Sequence, residues 1–179
     1  MGREIDPLTN VLVTNGAYGS LFNAISSFLN PGDEMIIIEP FFDCYVPMAV
    51  QVQAKCRFVP LKPKANVDTS KVTTTADWGL DDEELEAAFN SKTKIILINT
   101  PNNPLGKVYT KAELEKIAKL CIKWNCICIS DEVYEHITYD NKHVRIATLP
   151  GTNNLKIQQK KNLKIYVSLR YVGKNCNNW

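Results

Sequence analysis

Three short apolar runs mark the chain: Met35-Ile36-Ile37-Ile38, Ile95-Ile96-Leu97-Ile98 and Cys126-Ile127-Cys128-Ile129. They are continuous rather than alternating, the pattern of strands buried on both faces. Two weaker runs, Asn10-Val11-Leu12-Val13-Thr14 and Arg57-Phe58-Val59-Pro60-Leu61, predict further strands. Between them the apolar positions change to helical spacing. Leu21, Phe22, Ile25, Phe28 and Leu29 lie on one helical stripe that stops at Pro31-Gly32-Asp33. Leu114, Ile117, Ala118, Cys121 and Trp124 form another, opened by Thr110 with Glu113 as a capping box. Asp81 with Glu84 opens a shorter helix that turns Leu85, Ala88 and Phe89 inward. Residues 62–78 are polar, rich in Lys and Thr, and predict an exposed excursion. Strands alternating with helices predict an α/β fold, a mostly parallel sheet flanked by helices.

The composition sets the frame. With 179 residues, 45% hydrophobic and 22% charged, the length predicts one domain. The 21 Lys and Arg stand against 19 Asp and Glu, so charge argues for neither a nucleic-acid nor a membrane partner. No apolar run approaches a membrane span, and the first residues are not a secretory signal. A cytoplasmic location is expected, with a mitochondrial one left open. Six cysteines occur without a C-x-x-C pair, and Cys121, Cys126 and Cys128 fall on apolar faces. They are read as small buried hydrophobes in a reducing compartment, and no metal site is expected. His136 and His143, the only histidines, are read as incidental. From Thr152 the composition turns to Lys, Asn and Gln. Residues 152–179 are expected to form an irregular tail, with 164–172 a strand candidate that extends no earlier pattern.

Candidate chemistry sits just past the strands. In an open α/β sheet ligands bind outside the carboxyl ends of the strands. Ser130-Asp131-Glu132-Val133-Tyr134 delivers a carboxylate and a phenol to such an end. Asp131 suits a cationic ring nitrogen, and Tyr134 is placed to reach the same ring; an N-cap or loop role is the ordinary alternative for an aspartate there. Asn99-Thr100-Pro101-Asn102-Asn103-Pro104-Leu105-Gly106-Lys107 follows the second run. Asn and Pro dominate turns, but a turn needs far less specification than nine residues. Gly16-Ala17-Tyr18-Gly19 stands before a helix, where free N–H groups and the helix dipole favour a phosphate, or where glycine serves turn geometry alone. Phe41-Phe42 and Tyr45 follow the first run, suited to stacking on a flat ring or to core packing.

Taken in order, these strings resemble the pyridoxal-phosphate (PLP) aminotransferases of class I/II, fold type I. The resemblance covers residues 2–151, read as part of the large PLP-binding domain. Gly2-Arg3-Glu4-Ile5-Asp6-Pro7 and Ile146-Ala147-Thr148-Leu149-Pro150-Gly151 belong to the same ordered set, and Phe41-Phe42-Asp43-Cys44-Tyr45 places it nearest the kynurenine aminotransferases, also known as cysteine-S-conjugate β-lyases. The resemblance implies that Gly16, Ala17 and Tyr18 cradle the PLP phosphate and that Phe42 stacks on the pyridine ring. It implies Asn103 and Tyr134 on the phenolate oxygen, Asp131 on the ring nitrogen, and Asn99 in support. The implied reaction moves an amino group from L-kynurenine, or another aromatic, sulfur-containing or amide amino acid, to a 2-oxo acid. β-Elimination from cysteine conjugates is the implied side activity, and a homodimer the implied assembly.

The family's lysine, which binds PLP covalently, is not recognisable. Lys164 and Lys174 lack its flanking residues, so no catalytic residue is assigned. A small domain that grips the substrate carboxylate is also not recognised. The chain is therefore read as truncated and expected to be inactive alone. The alternative is a non-catalytic truncated form that pairs with a full-length subunit.

Overall fold

The apolar runs become the middle of a single parallel sheet. A computed structural model describes residues 5–71, 73–139, 142–149 and 166–169, the last as backbone. Strands β1 (Glu34–Glu39), β2 (Lys55–Pro60), β5 (Thr93–Asn99), β6 (Ile127–Asp131) and β7 (Tyr166–Leu169) lie in the order β2-β1-β5-β6-β7. All four pairings are parallel. Two short strands, β3 (Lys62–Pro63) and β4 (Trp78–Gly79), form a separate antiparallel pair within the expected polar excursion. Strand β7 falls inside the 164–172 candidate and pairs with β6 from Cys128↔Tyr166 to Asp131↔Leu169.

Helices cover both faces of the sheet, because successive strand residues point to opposite sides. Ile36, Ile38, Ile96, Ile98 and Cys128 pack with Leu85, Ala88, Phe89, Leu114, Ile117, Ala118 and Cys121 on one face. That face belongs to helices α3 (Asp82–Ala87) and α4 (Lys111–Trp124). Met35, Ile37, Ile95, Leu97 and Ile129 pack with Leu21, Ala24, Ile25, Met48 and Ala49 on the other. Those residues come from α1 (Gly16–Phe28) and α2 (Tyr45–Gln51). Burial on both faces is why these strands carry unbroken Ile-rich runs.

Local signals set several boundaries. At Thr110 the capping box is complete in both directions, and α4 ends at Asn125 in the left-handed region with φ 52°. Asp81 accepts from the Glu84 amide, but the return bond of a full box is absent. Helix α2 begins at Tyr45, in a stretch for which the apolar spacing predicted no element. Its Pro47 sits in the first turn, where a missing N–H removes no helical bond. The expected strand at residues 10–14 does not form; Val11, Leu12 and Val13 are at least half exposed. Their apolar run has no pairing partner among the described residues. Among those residues, no helix is long and apolar enough to cross a membrane.

Candidate functional site

The strand order reverses beside β1, whose neighbours are β2 on one side and β5 on the other. Such a reversal opens a crevice at the carboxyl ends of the strands. The candidate residues that follow β1, β5 and β6 all emerge there.

Asp131 is the last residue of β6 and is only 4% exposed. Register places it beside Asn99, the last residue of β5. The Asn99 amide Nδ2 donates to the Asp131 carbonyl at 3.0 Å, and its Oδ1 accepts from the Asn103 N–H at 2.6 Å. One buried side chain thus holds the end of β6 and shapes the loop that carries Asn103. Asn102 ties the same loop to the chain after β1, its Nδ2 donating to the Pro40 carbonyl at 3.0 Å. The bonds Glu39–Pro40, Thr100–Pro101 and Asn103–Pro104 are cis. Replacing Asn99 with alanine is expected to cost about 1–3 kcal/mol, because the Asn103 N–H loses its acceptor in a part-buried site. Urea unfolding checks this; a loss below about 0.5 kcal/mol would contradict the argument.

The Asp131 carboxylate receives two donors. Tyr45 donates from its hydroxyl to Oδ2 at 2.8 Å, and the Val133 N–H reaches Oδ1 at 3.3 Å. Burial pushes the Asp131 carboxyl above its ordinary value; the Tyr45 and Val133 bonds oppose that shift, and Glu132 adds to it. Tyr45 is itself 1% exposed, and its phenol is pushed far up by burial, then by Asp131, with Cys44 and Tyr134 contributing. The Cys44 thiol is pushed up to about 11 by burial and by the Asp131 and Asp43 charges. Phe42 packs edge-on against the Tyr45 ring, centroids 5.9 Å apart and planes at 81°. Phe42, Tyr45, Asp131, Asn99 and Asn103 therefore form one connected cluster, with Tyr134 at its edge and 36% exposed.

Gly16, Ala17 and Tyr18 form the first turn of α1 itself, not a preceding loop. Gly16 has φ 68°, a left-handed conformation that glycine adopts freely, and a Cβ there would meet nothing within 4 Å. Asn15 makes no side-chain cap and the first turn holds no acidic residue. The Gly16 N–H donates to the Thr14 carbonyl at 2.9 Å; the N–H groups that follow it, with the positive dipole end, suit an anion. Among the described residues, no hydrogen bond joins this turn to the Asp131 cluster. Lys164 and Lys174 lie outside the described residues.

Two buried polar features escaped the sequence reading. Lys107, 2% exposed, pairs with Glu113 at 2.9 Å and lies 5.2 Å over the Tyr109 ring. Glu132, Glu135 and His143 bring potential ligand atoms within 4.8 Å of one another. Ser130 donates to Glu132 at 2.9 Å and Arg145 to Glu135 at 2.7 Å, which makes this cluster a buried charge network. The period of the chain gave no signal for either, since it reports apolar faces and not pairs of polar side chains.

A bound PLP would demand a carboxylate facing its ring nitrogen, and Asp131 fits that demand. Asp131 is a buried carboxylate that, among the described residues, is bonded by no Lys, Arg or His. A ring cation would complete it.

The comparisons agree with this geometry. A family model described as aminotransferase class I and II matches residues 2–169. Bovine (Bos taurus) kynurenine–oxoglutarate transaminase 3 is 58% identical over 150 residues, covering 83% of this chain and 32% of that protein. Human (Homo sapiens) kynurenine–oxoglutarate transaminase 1 is 50% identical over 152 residues, covering 84% and 36%. The chain thus spans about a third of the length of these curated relatives. The solved structure of N-succinyldiaminopimelate aminotransferase from Mycobacterium tuberculosis superposes with a TM-score of 0.75 at 36% identity, covering 84% of this chain and 37% of that one. The parallel sheet, its layered helices and these likenesses are those of fold type I, and the chain belongs to the aminotransferase class I and II family.

Proposed function

We propose that this chain holds PLP in a transaminase that moves an amino group from L-kynurenine, or a similar amino acid, to a 2-oxo acid. β-Elimination from cysteine conjugates is the proposed side activity. The single observation that carries the reading is the buried Asp131 carboxylate, closed by Tyr45 and Val133 and lacking a described cationic partner. The identity to kynurenine–oxoglutarate transaminases supports the choice of amino donor.

The roles follow from the chemistry of each residue. Asp131 holds a proton on the ring nitrogen by charge and hydrogen bonding. Phe42 offers a face for stacking. Asn103 and Tyr134 donate to the phenolate oxygen, and Asn99 fixes the loop that presents Asn103. The first turn of α1 receives the phosphate on the backbone of Gly16, Ala17 and Tyr18. Bound there, PLP supplies an electron-withdrawing ring that stabilises negative charge at the substrate α-carbon. The chain's part is electrostatic: a fixed carboxylate in a dry site needs no reorganisation when charge develops.

Titrating the purified chain with PLP, and mapping peptides after borohydride, tests the reading. Saturable binding is expected, lost when Asp131 is replaced. A reduced adduct at Lys164 or Lys174 would place the covalent lysine in this chain. Absence of any saturable binding would remove the cofactor reading.

A further inference from the structure

We propose that Tyr45 is a positioning residue, its hydroxyl fixing the direction of the Asp131 carboxylate toward the cofactor ring; this rests on the PLP reading above. Tyr45 and Asp131 stand 86 residues apart in the chain, yet their side chains meet at 2.8 Å in a buried site. The same tyrosine touches Phe42 edge-on, and its backbone N–H donates to the Phe42 carbonyl at 3.3 Å. One side chain therefore links the residue that stacks on the ring to the residue that holds the ring nitrogen.

The choice of a phenol has a physical reason. A Lys or Arg in its place would neutralise the carboxylate and compete with the ring cation. A Phe would fill the space but leave Oδ2 without a donor. Tyr occupies one oxygen and keeps the full negative charge. Among the described residues Oδ1 receives only the 3.3 Å bond from Val133, which leaves it for a stronger partner. The titratable groups around the pair are Glu132 beside Asp131, and Cys44, Asp43 and Tyr134 on the Tyr45 side.

The test is Tyr45→Phe in the full chain. Three readouts apply: the carbon-13 titration of the Asp131 carboxyl without cofactor, PLP affinity, and the nitrogen-15 signal of labelled PLP. The variant is expected to raise the Asp131 titration midpoint, weaken PLP about tenfold, and move the ring nitrogen toward its unprotonated signal. Combined with Asp131→Asn, Tyr45→Phe is expected to add no further loss of affinity. In the parent chain, a slowly exchanging Tyr45 hydroxyl proton coupled to the Asp131 carboxyl carbon is expected, which needs no variant to fold.

An unmoved Asp131 titration with an unmoved ring-nitrogen signal overturns the proposal. So does an equal loss in the Asp131→Asn background, which would mean simple packing, or a parent chain without the coupled hydroxyl proton. A parent chain that shows that proton but binds no PLP instead strikes the cofactor reading, and the positioning role goes with it.

Discussion

Replacing Glu113 with alanine is expected to lower stability by about 3–5 kcal/mol, a large share of the roughly 5–15 kcal/mol that holds a domain. The cost comes from what is left behind. Lys107 is 2% exposed and has Glu113 as its ion-pair partner at 2.9 Å, so truncation strands an ammonium group away from water. The other Glu113 oxygen accepts from the Thr110 N–H at 2.8 Å and hydroxyl at 2.9 Å, so the α4 capping box goes too. Glu113→Gln keeps shape and cap but loses the charge, and should fall between the two. Burial pushes the Glu113 carboxyl up, but the hydrogen bonds and charge of Lys107, with the Thr110 bonds, outweigh it and hold it below its ordinary value. The contribution is therefore full above the unfolded value, near 4.3, and is lost as pH falls through the lower folded value. Urea unfolding at pH 7 and in acid checks both parts. A loss for Glu113→Ala under about 1 kcal/mol would show that Lys107 finds another partner.

Asp131→Asn is expected to separate stability from cofactor binding. The amide keeps the shape of the carboxylate, and its oxygen can still accept from Tyr45. Burial raises the Asp131 carboxyl in the folded chain, so ionising it there is harder than in the unfolded chain. The folded state then binds more protons between the two values, and stability falls as pH rises through that window. Removing the charge lifts this penalty, so the variant should be at least as stable as the parent near neutral pH. PLP affinity should move the other way, by about 10- to 100-fold, the worth of a charged hydrogen bond of roughly 1.5–3 kcal/mol. Thermal melting paired with PLP titration reads both. A variant less stable than its parent would contradict the burial penalty, and one that binds PLP equally well would contradict the assignment of Asp131 to the ring nitrogen.

The legible parts of this molecule were those written locally. Ile-rich runs mark buried parallel strands because both faces are covered, and the Thr110–Glu113 box lies within one turn. The end of a strand can be read where its apolar run stops, so the emergence of Asn99 and Asp131 at strand ends was visible too. What could not be read was contact across the chain. The Tyr45–Asp131 bond spans 86 residues and depends on how the sheet brings α2 to the end of β6, and no spacing encodes that. Helix α2 went unread because it is only seven residues long and carries Pro47, whose first-turn position is visible only in the fold. The pattern at residues 10–14 erred the opposite way. β-Branched residues favour a strand only where a neighbour exists to pair with.

The insertion of β5 between β1 and β6 also sets an order of assembly. Strand β1 can join β2 soon after both are made, since Glu34 faces Lys55. Its other edge must wait for Thr93 and the residues that follow. During synthesis, Met35 to Ile38 therefore carry an open hydrogen-bonding edge while the chain lengthens toward β5. Non-local parallel pairing is slow, because loop closure precedes any gain from contact. The nascent chain is thus most exposed to association with other chains in that interval, and the ligand crevice forms only when it ends.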